Sequence, residues 1–114
     1  MDFDSAVFYT NDLQKAIDFY QGLLGFKIEY RQEDRYVSFV FPNGIRLGIK
    51  KAVEKREKPG LQTIIIALED IEGFYREIKK KNVEIYTGLK DESWGKTFSV
   101  LDTDNNRIEF LKRY

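Results

Sequence analysis

Residues 5–25 read SAVFYTNDLQKAIDFYQGLLG and predict a strand that leads directly into an amphipathic helix. The helix is predicted over 13–24, where apolar residues recur at helical spacing and form one continuous face. Asp12 occupies the position of a helix N-cap, and Gly25 occupies the position where a left-handed residue ends a helix. The first quarter of the chain therefore predicts a β-α unit.

The same pattern returns in the second half of the chain. Thr10-Asn11-Asp12-Leu13 aligns with Leu68-Glu69-Asp70-Ile71, where a second helix is predicted over 71–81. Arg46-Leu47-Gly48-Ile49 aligns with Arg107-Ile108-Glu109-Phe110. Strands are predicted over 5–10, 26–31, 35–41, 45–50, 62–68, 83–86, 97–101 and 107–111. Each half therefore consists of a strand, a helix and three more strands, and this internal repeat is the strongest indication of the fold.

The repeat divides a single domain, 1–114, into two βαβββ modules over 1–50 and 61–114. A charged linker over 51–60 joins them and closes with Pro59-Gly60. The predicted fold class is therefore α+β. A four-stranded sheet with a helix on one face leaves its other face uncovered, so two modules can pair these free faces as a cup. Small-molecule sites tend to lie in a cup of this kind.

Charge and composition exclude several classes of function. Lys plus Arg and Asp plus Glu both number 19 in 114 residues, so there is no basic excess of the kind that nucleic-acid binding requires. The absence of Cys excludes disulfides and thiolate chemistry. No apolar stretch approaches the roughly 20 residues that cross a bilayer, and the acidic start at 1–4 does not resemble a signal peptide. We therefore expect a cytoplasmic protein that binds neither nucleic acid nor membrane.

Several short motifs, in order, resemble those of the vicinal oxygen chelate superfamily. They are Tyr9-Thr10-Asn11-Asp12-Leu13, Asp18-Phe19-Tyr20, Leu24-Gly25-Phe26, Trp94-Gly95-Lys96 and the closing run from Asp102 to Phe110. The superfamily includes glyoxalase I, extradiol dioxygenases, fosfomycin-resistance enzymes and bleomycin-binding proteins. The resemblance covers nearly the whole chain and implies the glyoxalase/bleomycin-resistance fold, in which the two modules form an open, eight-stranded, barrel-like cup.

The resemblance also implies where a divalent metal would bind in metal-dependent members. The four ligand positions correspond to Ser5, Gly48, Thr63 and Glu109. Only Glu109 carries a strong metal ligand, and the chain contains no His or Cys that could replace the others. We therefore expect no metal and no other cofactor.

Strand alternation indicates which side chains face the predicted cup. Arg46 shares a face with Gly48, and Arg107 shares a face with Glu109. The three charged residues form either a structural ion pair or a group that orients an anionic ligand. Gly48 is either a strand irregularity or a position that makes room for a ligand. The predicted ligand-binding residues are Ser5, Tyr9, Arg46, Gly48, Thr63, Trp94, Arg107 and Glu109.

Trp94 lies in a segment, 87–96, that is predicted to be a loop. Its ring either stacks on a flat ligand or closes a gap between loop and sheet. Tyr36 and Ser38 are weaker candidates, because the sequence does not fix which face of the third strand they occupy.

These observations favour a metal-free protein of the bleomycin-resistance type that sequesters a small molecule in the cup. The resemblance implies a homodimer. One alternative is an enzyme that retains metal or general-base chemistry through Glu109. Another is an interaction subunit that binds no ligand and whose sheet faces are filled by side chains.

Overall fold

The computed structural model describes residues 1–114 and contains two compact units, Met1–Gly60 and Leu61–Tyr114. Each unit contains one four-stranded sheet and one helical segment, in the order strand, helix, strand, strand, strand. The predicted α+β fold class, with the βαβββ unit used twice, is confirmed. The residues predicted as a linker, 51–60, belong to the first unit.

The first unit begins with the β-α stretch that the sequence predicts. Its elements are β1 (Ser5–Thr10), α1 (Leu13–Ile17), a π-helical continuation (Asp18–Leu23), β2 (Ile28–Gln32), β3 (Tyr36–Val40) and β4 (Arg46–Lys51). The strand order is β1-β4-β3-β2, with β1 parallel to β4 and the other pairs antiparallel.

Capping residues fix both ends of the first helical segment. The Asp12 carboxylate accepts a hydrogen bond from the Lys15 amide at 3.1 Å, as the N-cap prediction requires. Gly25 follows the helix with φ of +77°, a conformation that glycine adopts at little cost. The helix was predicted as α throughout, but its second half is π-helical. There, the neighbouring rings of Phe19 and Tyr20 are both buried and meet edge to face.

The second unit repeats this arrangement. Its elements are β5 (Thr63–Ala67), α2 (Ile71–Lys79), β6 (Glu84–Glu92), β7 (Gly95–Leu101) and β8 (Arg107–Arg113). The strand order is β5-β8-β7-β6, with β5 parallel to β8. The Asp70 carboxylate caps α2 by accepting from the Gly73 amide at 3.0 Å.

The prediction of a loop over 87–96 is wrong. Strand β6 continues through Glu92, β7 begins at Gly95, and Ser93-Trp94 form a two-residue turn between them. The segment lacks strict alternation of apolar and polar residues, and its pairing with β7 contains two register shifts. Such bulges remove the period-two pattern on which sequence prediction of a strand depends.

Each sheet buries one face under the helix of its own unit. Leu47 and Ile49 are buried on β4, and Ile108 and Phe110 are buried on β8. In the second unit the rings of Phe74, Phe98 and Phe110 pack together, with centroids 4.9–6.1 Å apart. The prediction that alternate residues of β4 and β8 pack under the helices is therefore confirmed. The opposite face of each sheet is not covered by the helix of its own unit.

A buried carboxylate fixes the segment that follows β4. The Glu57 side chain is 5% exposed and accepts two hydrogen bonds from the Lys50 ammonium, both at 2.7 Å. It also accepts from the backbone amides of Val53 and Glu54, at 2.9 and 3.0 Å. These contacts hold residues 51–57 against the sheet, so the segment is more than the solvated linker that its charge predicts.

The same contacts give a pH-dependent prediction. Hydrogen bonds from Lys50, Val53 and Glu54 lower the pKa of Glu57 from 4.5 to about 2. Its stabilising contribution is therefore complete above pH 4.5 and is lost as the pH falls through about 2. Glu57→Gln should reproduce this loss at neutral pH and accelerate hydrogen exchange of the Val53 and Glu54 amides at least tenfold. Glu54→Gln, at an exposed position in the same segment, should leave that exchange unchanged, and equal rates in both variants would contradict the assignment.

Candidate functional site

The face of the first sheet that lies opposite the helix is called here the open face. The β1-β4 and β3-β4 registers place its residues: Ser5, Val7, Tyr9, Tyr36, Ser38, Val40, Arg46, Gly48 and Lys50. Ser38 and Val7 flank Gly48 in register, and Tyr36 and Tyr9 flank Lys50. Four of the predicted site residues therefore share this face, together with Tyr36 and Ser38, whose orientation the sequence left open.

The Tyr36 side chain occupies the space above Gly48. A Cβ added at Gly48 would overlap the Tyr36 hydroxyl and would lie 2.8 Å from the ring carbon that bears it. One of the two hypotheses from the sequence was that Gly48 makes room for a ligand. The glycine does make room, but the space is filled by the Tyr36 side chain. Burial, followed by the charge of Asp4, raises the pKa of Tyr36, so its hydroxyl remains a hydrogen-bond donor near neutral pH.

Arg46 is held at one end of the open face by two carboxylates. Its Nε donates to Glu29 at 2.5 Å, and its Nη1 donates to Asp4 at 3.2 Å. A further hydrogen bond reaches the Gly44 carbonyl at 3.3 Å. The bond from Arg46 lowers the pKa of Glu29, which keeps that pair charged. Arg46 therefore has structural partners in its own unit, and a ligand would have to compete with them.

A cleft of about 540 Å³ lies at the other end of the first unit. It is lined by Gln32, Arg35, Tyr36, Lys50, Lys51 and Val53. Only Tyr36 among these was a candidate site residue from the sequence. Gln32 lies in a predicted turn, Arg35 and Lys50 lie at the ends of predicted strands, and Lys51 and Val53 lie in the predicted linker. The strand register would have identified part of this lining. Gln32 pairs with Tyr36 and Tyr36 pairs with Lys50, so these three residues lie side by side across the sheet.

The corresponding face of the second sheet carries three of the remaining predicted residues, Thr63, Arg107 and Glu109. Arg107 donates to Glu109 at 3.0 Å, and its guanidinium lies 5.3 Å from the centre of the Tyr86 ring. Thr63 is Arg107's neighbour in register and is exposed. Arg107 and Glu109 therefore form an ion pair within the second unit, as Arg46 does with Asp4 and Glu29 within the first.

Trp94 lies at the tip of the β6-β7 hairpin. The residue is 40% exposed, and the Arg113 guanidinium lies over its ring, 5.5 Å from the ring centre. The Trp94 carbonyl accepts from the Tyr114 amide at 3.0 Å. The tryptophan therefore lies in a hydrogen-bonded turn. Its role in ligand binding stays a prediction.

The residues at the four positions implied for a metal do not fit a divalent ion. Ser5 and Thr63 offer neutral hydroxyls, Gly48 offers no side chain, and the Glu109 carboxylate is engaged by Arg107. No group of three or more His, Cys, Asp or Glu side chains lies close enough together to hold a metal ion. We therefore derive no chemistry through a metal.

The family model of the Glyoxalase/Bleomycin resistance protein/Dioxygenase superfamily matches residues 2–110. The chain belongs to this superfamily. The match spans both βαβββ units, and the resemblance inferred from the sequence motifs is confirmed. No curated protein sequence matches the chain.

Solved structures with the same fold include an antibiotic binding protein and a lyase. TioX from Micromonospora sp. ML1 is 16% identical over 100% of both chains, with a TM-score of 0.84. TnmS3, an antibiotic binding protein from Streptomyces sp. CB03234, is 20% identical over 100% of this chain and 97% of its own, with a TM-score of 0.84. Lactoylglutathione lyase from Agrobacterium tumefaciens is 13% identical over 97% and 92%, with a TM-score of 0.80. At these identities the likeness shows the fold alone.

Neither helix of this superfamily member is long and apolar enough to cross a membrane.

Proposed function

We propose that this superfamily member binds a small organic molecule and sequesters it without converting it chemically. The observation that carries the proposal is the cleft of about 540 Å³ beside Tyr36, whose size lies within the usual range for small-molecule sites. The cleft combines an aromatic ring, an aliphatic side chain and several polar groups, which is the composition that orients a medium-sized ligand.

The chemistry at the family's ligand positions supports binding over catalysis. Gly48 is covered by Tyr36, and Glu109 is paired with Arg107. The chain also contains no His, the side chain that most often acts as a general base. TnmS3, whose fold this chain shares, is an antibiotic binding protein, and that precedent supports the proposal.

A homodimer in the cytoplasm is part of the same proposal. Apolar side chains remain exposed on the faces opposite the helices, with Val7 at 41%, Ile65 at 60% and Tyr86 at 59%. Burying such side chains against a second copy would be favourable, at about 25 cal/mol for each Å² of apolar surface removed from water.

The proposal predicts saturable binding without turnover. The purified protein is titrated with planar antibiotics, glycopeptides and aromatic acids, with Trp94 emission and thermal unfolding as readouts. We expect at least one compound to saturate, with the same affinity in EDTA and in Glu109→Gln, and to be recovered unchanged by mass spectrometry.

Three outcomes would contradict sequestration. Binding that appears only with Mg²⁺ or Mn²⁺ and disappears in Glu109→Gln would indicate metal-dependent chemistry. Conversion of a bound compound by the wild-type protein, abolished in Glu109→Gln with folding intact, would favour the enzyme alternative. A protein that binds no compound in the panel would favour an interaction subunit.

A further inference from the structure

We propose that the cleft beside Tyr36 recognises a flat, apolar molecule that carries a carboxylate, and that Arg35 binds this carboxylate. The inference rests on the proposed small-molecule function and adds the chemical class of the ligand. Nothing in the sequence motifs of the superfamily points to Arg35, which lies in the β2-β3 turn.

The charges that line the cleft are all positive. Arg35, Lys50 and Lys51 contribute basic side chains, and no acidic residue lines the cleft. Two carboxylates lie nearby: Glu57 holds Lys50 at 2.7 Å, and Asp34 approaches Lys51 at 3.9 Å. The Lys51–Asp34 pair is long and mostly exposed, so it contributes little.

Arg35 is the cation without a partner. The Arg35 amide donates to the Gln32 carbonyl, and the Arg35 carbonyl accepts from the Lys51 amide. The Arg35 guanidinium makes no hydrogen bond and no ion pair. A guanidinium presents a planar fork of donors that matches a carboxylate in two parallel hydrogen bonds. Lys50, by contrast, is neutralised and immobilised by Glu57 and acts as part of the wall. The unbalanced charge of the cleft is therefore that of Arg35.

Apolar surface lies next to this charge. The Tyr36 ring forms one side, and Val53, which is 77% exposed, forms another. Glu57 fixes the Val53 backbone through its amide at 2.9 Å, so the aliphatic wall is placed before any ligand arrives. The Gln32 amide adds a neutral donor and acceptor at the edge. A flat ring between Tyr36 and Val53, with its carboxylate on Arg35, matches these groups one by one.

The test compares 2-naphthoate with its neutral analogue, 2-naphthamide, and with inorganic phosphate. Binding is measured by isothermal titration and by amide chemical shifts in the full-length protein. We expect 2-naphthoate to shift the Val53 and Lys50 amides. In Arg35→Gln its affinity should fall about tenfold or more, as expected for a charge-assisted pair of hydrogen bonds. Lys51→Gln should cost about threefold, and Arg56→Gln, which removes the same charge from an exposed position outside the cleft, should cost nothing.

The neutral and inorganic probes separate this inference from the proposed function. If 2-naphthamide binds the cleft as tightly as 2-naphthoate, and Arg35→Gln changes neither, the cleft binds flat molecules but the carboxylate assignment is wrong. If phosphate binds as tightly as 2-naphthoate and depends on Arg35, the site recognises anions without a ring, and the aromatic part of the inference is overturned. If the panel described above yields a ligand that leaves the Val53 amide unshifted, sequestration stands and the cleft is not its site.

Discussion

Asp102→Ala is expected to destabilise the second unit by about 3 kcal/mol, because one buried carboxylate organises the whole β7-β8 turn. Its Oδ1 accepts from the amides of Asp104 and Asn106 at 2.9 and 2.8 Å, and its Oδ2 accepts from the Asn106 side chain at 3.0 Å. Asn106 is 1% exposed and in turn accepts from the Gln62 amide at 3.1 Å, at the approach to β5. Removing the carboxylate therefore leaves buried donors without an acceptor and weakens the connection between the turn and β5.

Urea unfolding followed through Trp94 measures this effect, since the only tryptophan lies in the second unit. Asp102→Asn keeps the shape but removes the charge, so its loss should be intermediate. Thr103→Ala, at an exposed position in the same turn, should stay within about 0.5 kcal/mol of the wild type. A free energy of unfolding for Asp102→Ala that matches Thr103→Ala would show that the turn is held by other contacts.

The same turn illustrates what sequence can establish. The run from Asp102 to Phe110 was used as a family motif, and the structure gives the physical reason for it. Asn105 adopts φ of +64°, a left-handed conformation that asparagine tolerates better than most residues. The fold was predictable because both βαβββ units depend on local signals: helix caps at Asp12 and Asp70, a glycine stop at Gly25, and alternation along β4 and β8.

The content of the open face was less predictable, for reasons that differ between residues. Strand alternation gave the face of Arg46 and Gly48, but β3 offered no marker of its own, so Tyr36 could not be placed. Its position follows from the pairing of Tyr36 with Lys50. Arg46 was predicted either to form a structural ion pair or to orient a ligand. Its partners Asp4 and Glu29 could not be identified, because they are distant in sequence and only the folded chain brings them together. Pairings between residues that are distant in sequence produce no periodic pattern from which they could be predicted.

The cleft could not be predicted from the sequence for a related reason. The segment that forms one of its walls has the charge and the Pro-Gly ending of a linker, and composition alone favours a solvated chain. A single buried carboxylate, Glu57, reverses that expectation by binding Lys50 and two backbone amides at once. Sequence reports the charge of a residue, whereas its burial depends on where its partners fold.

Gly48→Ala is expected to abolish most of the ligand affinity while costing only about 1 kcal/mol of stability. The new methyl group would overlap the Tyr36 hydroxyl and lie within 2.9 Å of two ring carbons. Because the overlapping atoms are the far end of a flexible side chain, the ring can swing away and the strand need not shift. The ring also lines the cleft, so its displacement should weaken binding of 2-naphthoate, or of the tightest compound in the panel, at least tenfold.

A second substitution separates this steric explanation from a general strand defect. Tyr36→Leu removes the ring that the Gly48→Ala methyl would strike, so the double variant should be more stable, by up to about 1 kcal/mol, than the sum of the two single losses predicts. Affinity should stay low in both variants that lack the ring, since shortening Tyr36 removes the wall itself. Gly22→Ala, where an added Cβ meets nothing within 4 Å, should keep full affinity and lose no stability. Additive stability losses in the double variant, or wild-type affinity in Gly48→Ala, would show that Tyr36 and Gly48 do not shape the cleft together.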